Sequence, residues 1–191
     1  MSNKLKRKTT PKKSPQKKAY ERDWKVAENC YSEVFTSFQL ICFSALYSAP
    51  EDGGFDFTKQ KLKNYNKFLH MHHEENIEGT LSLKETSVKF KKVGFNCEEK
   101  AVLFPYRAKI KMAGPIKPGK MKIALASVET AIESYLILAV HTLRTHYQFG
   151  WDDINNWWKK CVEVGELYAK GMTDDWVIKF IKDEMDLEIE R

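Results

Sequence analysis

Residues 24–48 read WKVAENCYSEVFTSFQLICFSALYS, and the spacing of their apolar side chains decides the fold class. Trp24, Ala27, Tyr31, Val34, Phe35, Phe38, Ile41, Cys42 and Ala45 recur every three or four residues, the interval at which side chains return to one face of an α-helix. A strand would need strict alternation. The stretch therefore predicts one long amphipathic helix ending near Ser48, and Pro50, Gly53 and Gly54 supply the break that follows.

The same texture continues toward the C-terminus. Thr58 is placed to cap a second helix with Leu62, Tyr65, Phe68 and Leu69 on one face. Ser82-x-x-Glu85 has capping-box spacing and opens a third helix that stops at Gly94. From Phe95 to Lys122 the pattern lapses, because Pro105, Pro115, Pro118, Gly114 and Gly119 forbid a long helix. Ala101–Phe104 and Ala108–Met112 suit short strands there. Helix resumes at Ile123, where Val128, Ala131, Ile132, Tyr135, Leu138, Ala139 and Leu143 form a stripe up to Tyr147. Another helix runs from about Asp152 to Lys170. Gly171 ends it, and Thr173 caps a last one lined by Trp176, Val177, Phe180 and Ile181.

N-terminal to residue 24 the chain changes character. The first 22 residues hold Lys4, Lys6, Arg7, Lys8, Lys12, Lys13, Lys17, Lys18 and Arg22 against one acid, Glu21, a net +8. The whole chain is only +6, so residues 23–191 sum to −2. Almost no apolar side chain precedes Tyr20, which predicts a disordered arm. Charge is segregated further on: −4 over 23–88, +8 over 89–122 and −6 over 123–191.

The halves also suggest an internal repeat. Ala45-Leu46-Tyr47-Ser48 answers to Ala139-Val140-His141-Thr142, Phe55-Asp56-Phe57 to Phe149-Gly150-Trp151, and Gly79 to Gly171. Two unrelated hairpins sharing generic turn signals would give the same pattern. The expected architecture is mainly α: a disordered basic arm (1–22), a helical unit (23–95), a basic connector (96–122) and a second helical unit (123–191). Each unit has three helices.

Phe55-Asp-Phe-Thr-Lys-Gln-Lys-Leu-Lys-Asn-Tyr-Asn-Lys-Phe68 and the counterpart opening at Phe149-Gly-Trp resemble small helical proteins of unassigned function encoded by phages and mobile elements of Gram-positive bacteria. In that group an F-G-F turn opens a basic, aromatic helix, and a glycine turn leads to a short acidic one. The second half keeps the turn and the acidic ending, residues 182–190, whereas the first half has Asp56 in place of the glycine. The resemblance implies a source and an architecture, and no reaction.

The functional candidates follow from the charge. A flexible +8 arm gains counterion-release free energy on any nucleic acid. Thr10-Pro11-Lys12-Lys13 and Ser14-Pro15-Gln16-Lys17 resemble the S/T-P-K-K repeats of DNA-binding tails, in which proline turns present lysines to phosphates. Arg107, Lys109 and Lys111 in the connector join Lys4 to Lys18 as candidate nucleic-acid contacts. A solubilising tail, a dock for an acidic protein, or a nuclear-import address at Lys4–Lys8 would use the same residues. The connector could equally pair with the acidic C-terminal helix.

Trp151, Trp157, Trp158 and Trp176 form an aromatic set suited to core packing, to stacking bases or to gripping a protein partner. Trp157 and Trp158 lie about 100° apart on a helix, so one of them is expected to be exposed or semi-exposed as a partner-binding residue. His70, His73 and Glu74 share a helix face and could ligate a metal, but His141 and His146 are far away in sequence, and a solvated helix end is the simpler reading. No P-loop, dinucleotide fingerprint, catalytic triad order or H-E-x-x-H motif is present, so neither catalytic residues nor a cofactor are assigned. Cys30, Cys42, Cys97 and Cys161 are widely spaced, which suggests reduced thiols in the cytoplasm. Ala131–Val140, the longest apolar run, is interrupted by Glu133 and Ser134, giving no expectation of a membrane. The leading expectation is a non-enzymatic phage or mobile-element accessory protein that binds DNA or RNA. The alternatives are a protein-interaction module or inhibitor acting through the Trp-rich unit, and a metal-dependent enzyme.

Overall fold

The fold is mainly α. The computed structural model describes residues 14–105 and 118–170, together with Lys179. These contain six α-helices: α1 (Pro15–Tyr47), α2 (Lys59–Ile77), α3 (Leu83–Lys92), α4 (Cys97–Leu103), α5 (Met121–Tyr147) and α6 (Trp151–Lys170). Among the described residues there is no strand.

Helix α1 begins inside the basic arm, which corrects its expected disorder over residues 15–22. Ser14 is the N-cap, its Oγ accepting from the Lys17 N–H at 3.2 Å, and Pro15 occupies the first turn. A capped start with proline in its first turn is pre-organised for helix, and each added residue extends a nucleus already present downstream. The Ser14-Pro15 pair therefore starts a helix rather than making a free turn. Arm residues 1–13 lie outside the described residues, as do the Ala108–Met112 segment and the expected helix after Thr173.

The expected caps at Thr58 and Ser82 are occupied: Thr58 Oγ1 accepts from Lys61 N–H and Ser82 Oγ from Glu85 N–H, each at 3.3 Å. The strand expected at Ala101–Phe104 is instead the end of α4. Asn96 caps this helix, and its side chain and that of Glu99 reach toward each other, Asn96 Nδ2 donating to Glu99 Oε2 at 3.3 Å. Seven residues are too few to show periodicity, but Cys97, Ala101 and Phe104 are all buried at helical spacing.

Helix α5 is the centre of the fold. It contacts α1, α2, α3 and α4, while α6 lies on α1. By length and composition α5 could cross a membrane; here its apolar side chains from Ala131 to Leu143 are largely buried in protein. Helices α1 and α5 run side by side in the same direction, since Asp23 pairs with Lys120 and Phe35 and Phe38 both meet the Tyr135 ring edge-on, 5.0 and 5.5 Å away. The second helix of each half covers the long helix of the other half: α2 packs on α5 and α6 on α1. One core thus spans residues 30–168 and joins the two expected units.

The aromatic turns meet, with Phe55 and Phe149 at 5.0 Å, but their backbones differ. The left-handed residue is Asp56 (φ 49°) inside the first turn and Gln148 (φ 58°) ahead of the second. Asp56 therefore holds a glycine-type conformation where the resembling F-G-F pattern has glycine. Gly54 is required for a different reason, because a Cβ there would collide with the Ser48 carbonyl.

Candidate nucleic-acid interface

Helix α1 presents a cationic and aromatic start. Lys17, Lys18, Arg22 and Lys25 are exposed, and so are Tyr20 at 66% and Trp24 at 59%. At about 100° per residue, Lys18, Arg22 and Lys25 align on one stripe, and Tyr20 and Trp24 align on another. Lys17 and the acid Glu21 lie between the stripes. The Arg22 Nε–H donates to the Lys18 carbonyl at 3.2 Å, which lays the guanidinium stem along the helix. Large aromatics left this exposed beside cations are a recurrent surface for nucleic-acid recognition. The periodicity read from the sequence assigned Trp24 to the core; it is exposed, although the adjacent Asp23 pairs with Lys120.

Lys120 Nζ donates to Asp23 Oδ1. This ion pair brings the C-terminal end of the basic connector against α1, directly after the arm. Lys122, the second residue of α5, is exposed as well. Not every connector cation is available. Lys100 Nζ sits 4.7 Å from the Phe95 ring centroid and 5.4 Å from that of Trp158, and burial pulls its pKa below the ordinary lysine value. Lys100 is therefore a half-buried cation–π group. Of the other candidate contacts, Lys17 and Lys18 are described and exposed; Lys4, Lys6, Arg7, Lys8, Lys12, Lys13, Arg107, Lys109 and Lys111 lie outside the described residues.

The expectation that Trp157 or Trp158 faces solvent is corrected. Trp157 is fully buried, and Trp158 is only 8% exposed. Helix α6 is covered on more than one side, with Phe38 of α1 at 6.4 Å from Trp158 and Phe104, just after α4, at 5.5 Å. Trp151 is engaged too, beneath the Arg144 guanidinium at 4.3 Å. Trp176 lies outside the described residues.

His70 and Glu74 are exposed, and His73 lies beside Phe35 at 6.0 Å. Among the described residues, no three or more His, Cys, Asp or Glu side chains form a metal-holding group. The histidine that turns inward is His72, and contrary to the sequence expectation it meets both His141 and His146. Its Nε2 is 3.1 Å from His146 Nε2, its Nδ1 is 2.7 Å from Glu75 Oε2, and its ring lies edge-on to His141 at 4.5 Å. Sequence spacing could not reveal this set, because α2 and α5 are brought together only by tertiary packing. No known protein family, characterised protein or solved structure matches the chain.

Proposed function

We propose that this chain is a non-enzymatic accessory protein of a phage or mobile element that binds DNA or RNA through its basic arm and connector. Lys4, Lys6, Arg7, Lys8, Lys12, Lys13, Lys17 and Lys18 supply the arm contacts, and Arg107, Lys109 and Lys111 those of the connector. The observation that supports the reading best is the Asp23–Lys120 ion pair. It sets the end of the connector, net +5 over residues 96–122, beside the end of the +8 arm, so one polyanion can neutralise both. Tyr20 and Trp24, exposed on the same helix as Lys18 and Arg22, add stacking surface. The phage source rests on the resemblance at the aromatic turns. A protein partner gripped by Trp157 and Trp158 is disfavoured by the burial of both rings.

The test compares the full chain, a chain lacking residues 1–13, and a Lys17→Gln/Lys18→Gln/Arg22→Gln variant, each titrated with duplex DNA and with RNA at about 50 and 200 mM salt. Loss of each phosphate contact lowers the salt slope by about 0.9 on duplex DNA, so both variants should bind more weakly and with flatter salt dependence. Unchanged affinity and slope in both would show that the arm is not the binding element.

A further inference from the structure

We propose that His72 and His146 form a two-histidine site for a late first-row divalent cation such as Zn2+ or Ni2+, joining α2 to α5. The two Nε2 atoms are 3.1 Å apart. A cation bound at the Zn–N length of about 2.0–2.1 Å spans donors about 2.9–3.3 Å apart at angles between square and tetrahedral. The separation is that of an N–H···N hydrogen bond between the two rings, and it equally matches two imidazoles sharing one ion.

The surroundings favour the same chemistry. His72 Nδ1 is held by Glu75 Oε2 at 2.7 Å. A carboxylate on the far nitrogen fixes the tautomer that leaves Nε2 unprotonated, and it makes the imidazole a stronger ligand. It also contributes negative charge next to the cation. Phe68 lies flat on His146 at 3.8 Å, the planes 3° apart, which sets the plane of the second ligand. His72 is 4% exposed, whereas His146 is half-buried, so water can reach the remaining coordination positions from the His146 side. Imidazole ligands suit zinc, nickel and copper rather than magnesium or calcium.

Untagged full-length protein titrated calorimetrically with ZnCl2, and separately with NiCl2, should bind one ion per chain and gain thermal stability. His146→Gln, which keeps the stacked position beside Phe68 filled, should weaken binding by at least about tenfold, and Glu75→Gln by about tenfold with the stoichiometry retained. A His70→Ala/His73→Ala variant should bind as the parent does. The proposal fails if no saturable binding occurs, if it appears only at millimolar metal, or if the His70/His73 variant loses it while His146→Gln does not. Circular dichroism of each variant distinguishes loss of a ligand from loss of the fold.

Discussion

The ring of Phe104 rests on the bare Cα of Gly165, and a Cβ at that glycine would lie 2.5 Å from Phe104 Cζ and 3.1 and 3.2 Å from its Cε atoms. Phe104 follows the last turn of α4, and Gly165 is buried in the penultimate turn of α6. The missing side chain is what lets the start of the connector dock on α6. Gly165→Ala should therefore destabilise the protein by about 1–3 kcal/mol in urea unfolding, an overpacking cost that outweighs the better helix propensity of alanine. Adding Phe104→Leu should restore part of the loss, because the two sites share one contact. Strictly additive losses would show that the contact is not the cause.

The four cysteines should resist modification in the folded state. Cys30, Cys42, Cys97 and Cys161 are all buried. Burial raises the thiol pKa of Cys30 and Cys42, and pushes that of Cys97 up to about 12. The reactive thiolate is then scarce as well as covered. A disulfide-exchange reagent at neutral pH should react slowly with native protein and rapidly with four thiols in denaturant. A fast native phase of one equivalent or more would contradict the burial.

Glu133 gives a pH-dependent prediction of definite sign. Burial first, and Glu98 second, raise its carboxyl pKa above the ordinary 4.5. The folded state thus holds the proton more tightly than the unfolded chain does. Its contribution is most favourable below about pH 4.5 and declines as pH rises through the raised folded value. Glu133→Gln should therefore be slightly more stable than the parent at pH 7, by less than about 1 kcal/mol given its partial exposure. The two should converge in acid. Thermal unfolding across pH 4–8 reads the difference directly.

Most of the helical scaffold was legible because it rests on local rules. Three- and four-residue spacing marked α1, α2 and α5, and Thr58, Ser82 and Gly94 marked ends that caps alone define. The α4 segment was read as a short strand at Ala101–Phe104, because prolines and glycines forbid a long helix from Phe95 to Lys122 and seven helical residues are too few to show periodicity. What could not be read depends on which surfaces meet. Trp157 and Trp158 point about 100° apart, yet both are buried because α6 is wrapped by α1 and by Phe104. His72 carried no signal of its own in the sequence, because its partners His141 and His146 come from α5. Trp24 kept the core spacing of α1 and still faces solvent, since periodicity marks a face without saying which of its residues a neighbour covers.

Asp56 offers a test of the first aromatic turn. Its φ of 49° lies in the left-handed region, which costs a side-chain-bearing residue about 1–2 kcal/mol, less for the short polar Asp and Asn. The turn enforces this conformation: the Asp56 N–H donates to the Ser48 carbonyl at 3.0 Å, and the Phe57 N–H to that of Leu46 at 2.9 Å. Phe55 and Phe57 are thereby aimed at Phe149, at 5.0 and 6.0 Å. Asp56→Gly removes the conformational cost but gives the unfolded chain more freedom, an offset of about 0.5–1 kcal/mol, so its stability should match or slightly exceed the parent's. Asp56→Val has no such relief, because a β-branched side chain is a true outlier at positive φ. It should lose about 1–2 kcal/mol, and the order Gly at or above Asp, with Val lowest, should appear in urea midpoints. A valine variant as stable as the parent would mean that the backbone can leave the left-handed region without loosening the Phe55–Phe149 contact.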